Sequence, residues 1–138
     1  MDSSLKIAFV SVRDSFVENG VAHYDGANGR LIECLLKCYP HLSLVTYRDP
    51  VRRPYYSLPI RPHRLYVLPF RNSFGNGVRY MGQVVRLLRE IEQEHDLLIV
   101  QLPFKSFLAP LFLRKPVIYH ICSNLRTAAV NPVKYRGL

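Results

Sequence analysis

The sequence predicts an α/β fold, with a doubly wound, mainly parallel sheet of about five strands and helices on both faces. The apolar runs are short, rich in Val, Ile and Tyr, and nearly continuous rather than alternating, which is typical of strands buried on both faces. Amphipathic helical patterns lie between several of these runs. With 138 residues, of which 49% are hydrophobic, residues 1–138 suit a single domain with one sizeable core.

The elements follow one another in the order that β-α-β units require. The predicted strands are Lys6–Val12, Leu42–Arg48, Arg64–Phe70, Leu97–Leu102 and Pro116–Cys122. Apolar residues at helical spacing predict one helix from Leu31 to Tyr39 and a longer one from Val78 to Ile91. The stretch "SFLAPLFL" predicts a further short helix. Right-handed crossovers place the carboxyl ends of parallel strands at one edge of the sheet, so we expect a ligand at the loops that follow the strands.

A glycine-bearing stretch, "SFVENGVAHYDGANG", follows the first predicted strand. The spacing of Gly20, Gly26 and Gly29 matches neither the dinucleotide fingerprint nor a P-loop. Glycine lets the backbone approach a ligand closely, and a helix that begins near Asn28 or Gly29 could receive a phosphate. The stretch therefore predicts either a ligand-contacting loop or a long β-to-α connection.

A proline-rich stretch, "YRDPVRRPYYSLPIRPHR", spans residues Tyr47–Arg64 and contains five arginines and four prolines. Proline every few residues excludes a helix or a central strand, so we expect an extended surface loop or a mobile lid. Three roles stay open for it. The loop could contact an anionic membrane surface. It could bind a pyrophosphate or an acidic glycan acceptor through Arg52, Arg53, Arg61 and Arg64. It could also serve as a solvated, charge-rich loop or as an interface to a second half of the enzyme.

The charge of the chain favours an anionic partner, because the net charge is +9 and the pI is about 9.8. No recognised RNA or DNA motif is present, which argues against nucleic acid as that partner. The three cysteines have no metal-binding spacing, and we expect free buried thiols and no metal site. No apolar stretch reaches the roughly 20 residues of a spanning helix, so we expect a cytoplasmic protein, with peripheral contact to the inner face of a membrane left open.

The order of the parts resembles a known family. A first strand, the glycine-bearing stretch, "RLIECLLKCYPHLSLVTYRD", "DLLIVQLP" and "KPVIYHICSN" together resemble the N-terminal Rossmann-like domain of GT-B glycosyltransferases, in particular glycosyltransferase family 4. The resemblance implies the acceptor-side domain of a retaining enzyme of polysaccharide biosynthesis, which transfers a sugar from a nucleotide-sugar donor to a glycan or lipid-linked acceptor.

This sequence also departs from the family pattern. The frequent Gly-Gly pair is absent, and the E-x7-E segment of the C-terminal donor-binding domain has no counterpart. We therefore expect that domain, with its nucleotide-sugar, either further along the same chain or on a separate subunit, and no transfer by this domain alone. This domain itself is expected to hold no cofactor.

The resemblance and the predicted loop positions together suggest the site residues. His120, at the end of the fifth strand, matches a histidine of the family and is expected to hydrogen-bond a sugar hydroxyl; a core histidine is the alternative. Asp25, beside His23, is a weaker candidate for a catalytic base. The candidate substrate-binding residues are Asn19, Gly20, His23, Gly26, Gly29, Arg52 and Arg53. Interleaved arginine and tyrosine also permit a different function, a non-enzymatic nucleotide- or nucleic-acid-binding module.

Overall fold

The computed structural model describes residues 5–68, 77–102 and 109–121. Its strands are β1 (Ile7–Glu18), β2 (Val21–Tyr24), β3 (Ser43–Arg48), β4 (Leu58–Ile60), β5 (Arg64–Leu68), β6 (Leu97–Leu102) and β7 (Val117–Ile121). Its helices are α1 (Gly26–Cys38) and α2 (Gly77–Gln93), and a 3₁₀ turn at Ala109–Phe112 precedes β7.

Five of the strands form a parallel sheet in the order β5-β3-β1-β6-β7. In chain order, β1, β3 and β5 lie successively further from the centre on one side of the sheet. β6 and β7 lie successively further from the centre on the other side. This is the doubly wound order, and its switch point lies between β1 and β6. The predicted fold class and the five predicted parallel strands are confirmed.

The two helices cover opposite faces of the sheet, because successive side chains of a strand point to opposite sides. Ile7 and Phe9 of β1 share a buried cluster with Ile32 of α1. Ala8 and Val10, which alternate with them, share a second buried cluster with α2. The residues of α2 buried in that second cluster are Tyr80, Val84, Leu88 and Ile91. The predicted placement of helices on both faces is therefore confirmed.

β1 is longer than the sequence predicts, and its second half belongs to an antiparallel hairpin. Phe16 pairs with His23 of β2, and His23 pairs in turn with Pro59 of β4. The turn between β1 and β2 is Asn19-Gly20, with φ angles of 51° and 74°. Positive φ at both central residues is the geometry of a tight two-residue hairpin. The expected glycine loop or long connection is thus wrong, because most of that stretch is strand and turn.

The proline-rich stretch is more ordered than a surface loop or lid. Its residues Leu58–Ile60 form β4, which pairs with β2 at the edge of the sheet, and an edge strand tolerates Pro59. Asp49, Tyr56 and Ile60 are buried. The expectation of an extended or mobile segment is therefore wrong for these residues, while the exclusion of a central strand holds.

Other differences concern boundaries and exposure. α1 begins at Gly26, earlier than the expected start near Asn28. Cys34 and Cys38 are exposed, so the expected burial of these thiols is wrong, and Cys122 lies outside the described residues. Ser106, with the first part of the expected "SFLAPLFL" helix, also lies outside them. Neither of the two described helices has the length and apolar character needed to cross a bilayer.

Candidate functional site

A cleft of about 580 Å³ opens beside the loop that follows the carboxyl end of β3. Three of the predicted binding residues, His23, Arg52 and Arg53, line this cleft together. β2 and β4 form its strand wall, and the loop of residues 49–57 supplies the arginines. The other lining residues are Pro54, Tyr56, Ser57 and Pro59. The structure thus brings residues from two separate stretches of the sequence to one place.

The carboxylate of Asp49 organises the arginine-bearing loop. It accepts hydrogen bonds from the Val51 N–H at 3.0 Å, from Arg53 Nε at 2.9 Å and from the Tyr56 hydroxyl at 2.8 Å. The N–H of Asp49 itself donates to the carbonyl of Ser15 at 2.8 Å. The loop therefore closes around one buried carboxylate, and the backbone N–H of the same residue attaches the loop to β1.

The hydrogen bonds of Asp49 fix its charge state. Burial favours its neutral form, but the N–H of Val51, the Arg53 guanidinium and the Tyr56 hydroxyl outweigh burial and hold the pKa of Asp49 below its ordinary value. Burial and the bond to Asp49 both raise the pKa of Tyr56, which therefore stays a neutral donor. The bond to Asp49 also raises the pKa of Arg53. At neutral pH the loop thus contains an ionised Asp49 and a charged Arg53.

Arg52 has a different environment from Arg53. Its guanidinium carbon lies 5.9 Å from the ring centroid of Phe16, a cation–π distance. The Phe16 ring is in turn 6.3 Å from the ring of His23. Because Asp49 forms its ion pair with Arg53, the charge of Arg52 is not neutralised by that carboxylate. Arg52 therefore presents a positive charge beside an aromatic pair on the hairpin.

Sequence reasoning missed Asp49, Phe16 and Tyr56 as parts of this site. A signal for Asp49 was present, because an acidic residue directly after a buried strand and before a proline is typical of turn initiation. No comparable signal marks Phe16, whose ring lies beside Arg52 and His23 because β1 extends further than expected.

Asp25 caps the N-terminus of α1. Its carboxylate accepts the N–H groups of Ala27 at 3.1 Å and Asn28 at 3.0 Å, and the side-chain amide of Asn28 at 2.7 Å. Burial opposes ionisation, but these bonds outweigh it and lower the pKa of Asp25. Both carboxylate oxygens are therefore engaged in the cap, and a role of Asp25 as a base stays a prediction.

Replacing Asp25 with alanine is expected to lower the free energy of unfolding by about 1 kcal/mol, because the helix loses its cap. Asp25→Ser should retain most of the stability, because serine also caps. Urea unfolding at neutral pH compares the two variants, and an equal loss in both would contradict the capping role.

The remaining candidate residues of the glycine-bearing stretch have local structural roles. Asn19 and Gly20 form the hairpin turn and do not line the cleft. Gly26 is the first residue of α1. Gly29 is buried, and a Cβ placed there would lie 2.5 Å from Cδ2 of Leu58. Gly29 therefore permits close packing of α1 on β4.

His120 lies near the carboxyl end of β7, as predicted, in register with Gln101 of β6. His120 is exposed, which excludes the alternative of a core histidine, whereas Gln101 is buried. The residues that follow β7 from Cys122 onward lie outside the described part of the chain. The position of His120 is thus confirmed, and its contact with a sugar stays a prediction.

Buried hydroxyl groups connect the hairpin to the parallel sheet. Thr46 Oγ1 accepts a hydrogen bond from the Tyr24 hydroxyl at 2.5 Å and lies 2.8 Å from Ser15 Oγ. Burial raises the pKa of Tyr24 to about 12, so this hydroxyl remains protonated at neutral pH. The network fixes β2, and with it His23, relative to the end of β3.

A second cleft, of about 450 Å³, lies where β1, β3 and β5 begin, and its lining includes Ser43, His63 and His95. His95 is buried there, with Nδ1 at 2.6 Å from the Ile91 carbonyl and Nε2 at 2.7 Å from Ser43 Oγ. Within residues 5–68, 77–102 and 109–121, no group of three or more His, Cys, Asp or Glu side chains could hold a metal ion. Of the predicted binding residues, Arg64 alone lines this cleft, away from Arg52 and Arg53 in the first one.

No protein family model matches the sequence, and no curated protein matches it. Among solved structures, a UGT transferase from Siraitia grosvenorii in complex with UDP is similar over 96% of this chain, with 13% identity and a TM-score of 0.47. This chain spans 28% of the length of that protein's chain.

Proposed function

We propose that this chain is the acceptor-side domain of a glycosyltransferase that takes a sugar from a nucleotide-sugar donor. The observation that carries the proposal is the cleft of His23, Arg52 and Arg53 beside the carboxyl end of a doubly wound parallel sheet. Ligands of such sheets bind outside that edge. The resemblance of the sequence to the N-terminal domain of family 4 glycosyltransferases supports the same function.

In this proposal a C-terminal donor-binding domain holds the nucleotide-sugar, and the described domain holds the acceptor. Sugar transfer requires an oriented acceptor hydroxyl and stabilisation of the departing diphosphate. His120 would hydrogen-bond a sugar hydroxyl from the end of β7, and the arginines of the cleft would hold the acceptor. A retaining reaction of the family 4 type needs no protein base of the inverting kind, which is compatible with the use of Asp25 as a helix cap.

His120→Ala is expected to lower the rate of sugar transfer about tenfold or more, because a lost transition-state hydrogen bond of roughly 1.4 kcal/mol costs that factor. The stability should hardly change, because His120 is exposed. The assay uses the protein purified from the cells that naturally produce it, together with any donor-binding domain or subunit that accompanies it. It measures acceptor-dependent release of nucleoside diphosphate from nucleotide-sugars, with glycan and lipid extracts of those cells as acceptors.

His63→Ala is the matched control, because His63 is an exposed histidine of the second cleft. Equal activity of wild type and His120→Ala would contradict the role of His120. A complete absence of nucleoside diphosphate release would contradict the glycosyltransferase proposal. Retention of single-stranded nucleic acid at low salt, lost steeply as salt is added, would then favour the nucleic-acid-binding alternative.

A further inference from the structure

The second cleft, where β1, β3 and β5 begin, has a buried polar floor that the proposed function does not use. Ser43 and His95 line this cleft and are both buried. The Ile91 carbonyl can only accept a hydrogen bond, so Nδ1 of His95 carries the hydrogen of their 2.6 Å contact. In the neutral imidazole Nε2 is then an acceptor, and the Ser43 hydroxyl donates to it across 2.7 Å. While His95 is neutral, the hydroxyl hydrogen of Ser43 is therefore not available to a ligand in the cleft.

Protonation of His95 reverses its hydrogen bond with Ser43. Nε2 then carries a hydrogen and donates it to Ser43 Oγ, while the bond from Nδ1 to the Ile91 carbonyl remains. A hydroxyl group can accept one hydrogen bond and donate another, so the hydrogen of Ser43 becomes free to bind a ligand. The proton comes from solution, and no hydrogen bond of the fold is lost. The floor of the cleft therefore gains a free donor when His95 takes up a proton.

The rim of the second cleft carries positive charge that is not neutralised by the protein. Lys6 and His41 line the cleft and are exposed, and neither forms an ion pair within the described part of the chain. Glu94 also lines the cleft, but its carboxylate accepts the Tyr66 hydroxyl at 2.8 Å and pairs with the Arg64 guanidinium. The hydrogen bond from Tyr66 and the charge of Arg64 hold the pKa of Glu94 below its ordinary value. Because Glu94 is engaged in this way, Lys6 remains free to attract an anion.

The cations around His95 and His41 couple the protonation of these histidines to the binding of an anion. The ammonium of Lys115 donates to the His95 carbonyl at 2.6 Å, and the ring of His41 lies edge-on to that of His63, with 5.2 Å between the centroids. A neighbouring cation opposes the protonation of a histidine, and a bound anion favours it. The titratable and charged groups that surround the two histidines are Lys6, His63, Arg64, Tyr66, Glu94, Asp96 and Lys115.

We infer that the second cleft binds a tetrahedral dianion, the chemistry that sulfate and phosphate groups share, and that binding takes up a proton. Lys6 and His41 attract the anion, and the Ser43 hydroxyl donates a hydrogen bond to it. His95 takes up the proton that frees this hydroxyl. The volume of about 450 Å³ leaves room for an organic group attached to the anion. The inference is independent of the proposed function, because this cleft lies at the opposite end of the parallel strands from the first one.

The test is calorimetric titration of the full chain with sulfate at about pH 6 and about pH 7.5, in buffers of different ionisation enthalpy. Sulfate stays a dianion over this range, so a proton that is taken up on binding goes to the protein. We expect binding about tenfold tighter at the lower pH, with an uptake of about one proton. Equal affinity at both pH values, or binding without proton uptake, would overturn the coupling. The absence of binding at millimolar sulfate at the lower pH would overturn the site.

Three variants assign the effect to residues. Lys6→Met should weaken sulfate about tenfold at both pH values, because the anion loses its cation. His95→Gln should remove most of the pH dependence, because its amide donates to Ser43 without titrating. Lys37→Met is the matched control and should change the affinity by less than about twofold, because Lys37 is exposed and does not line the cleft.

Equal losses in Lys6→Met and Lys37→Met would show diffuse attraction to a basic protein and refute the site. A full pH dependence in folded His95→Gln would refute the role of His95, and the circular dichroism of each variant verifies its fold. Inorganic phosphate and glycerol 3-phosphate, titrated in the same way, distinguish the free ion from a monoester by their affinities.

Discussion

Asp49→Ala is expected to lower the free energy of unfolding by about 3 kcal/mol, because the substitution leaves the buried Tyr56 hydroxyl without its acceptor and releases the loop. Asp49→Asn should cost less, because an amide oxygen can still accept the Tyr56 hydroxyl. The measurement is urea unfolding at neutral pH. Glu90→Ala is the control, because Glu90 belongs to an exposed ion pair with Arg86 and its loss should change stability by less than about 0.5 kcal/mol.

The contribution of Asp49 should also depend on pH in one direction. Its pKa is lowered in the folded protein, so its stabilising effect is fully present above the pKa of about 3.9 that aspartate has when unfolded. The effect disappears as the pH falls through the lower pKa of the folded state. The difference in stability between wild type and Asp49→Asn should therefore be constant above about pH 5 and shrink on acidification. A difference that grows in acid would contradict the assignment of an ionised Asp49.

Gly29→Val is expected to lower the free energy of unfolding by about 2 kcal/mol, because the added side chain overpacks the contact between α1 and β4. A Cβ at Gly29 would lie 2.5 Å from Cδ2 of Leu58 and 3.1 Å from its Cβ and Cγ. Leu58→Ala removes the nearest of these atoms, so the double variant should be more stable than the sum of the single effects predicts, by about 1 kcal/mol. Thermal and urea unfolding of the four proteins measure this coupling.

Gly82→Ala is the matched control for Gly29, because a Cβ at Gly82 meets nothing within 4 Å. Gly82 is an exposed residue of α2, and alanine there should raise stability by about 1 kcal/mol through helix propensity alone. If Gly29→Val were as stable as wild type, the close packing of α1 on β4 would not be the reason for glycine at position 29.

The parallel sheet could be predicted from the sequence because its strands are buried on both faces, which leaves continuous apolar runs such as "LLIVQL". The glycine content of "FVENGVAHY" does not by itself predict the hairpin. Asn-Gly between runs that contain apolar residues is a strong hairpin signal, and Ala22 and Tyr24 are buried in alternation on β2. The sequence does not predict β4 because the strand contains Pro59, which is tolerated here because β4 is an edge strand.

Three members of the site could be predicted from the sequence, but their arrangement could not. Residue type and position after predicted strands indicate His23, Arg52 and Arg53, and these three residues do line one cleft. Their meeting depends on the pairing of β2 with β4, a long-range contact that no local pattern encodes. The role of Asp49 depends in the same way on the folded path of the loop, which brings Val51, Arg53 and Tyr56 around one carboxylate.

The central position of β1 has a consequence for the order of folding. β1 is joined to β2 by a two-residue turn. Its pairing with β6 is a long-range contact: Lys6, just before β1, donates to Asp96, just before β6, and these two residues are 90 positions apart. Closing so long a loop costs entropy before any contact compensates it, and such topologies fold slowly. We therefore expect the hairpin and the β1-β3-β5 half to assemble first during synthesis. Until β6 arrives, one edge of the central strand β1 stays open to pairing with another chain.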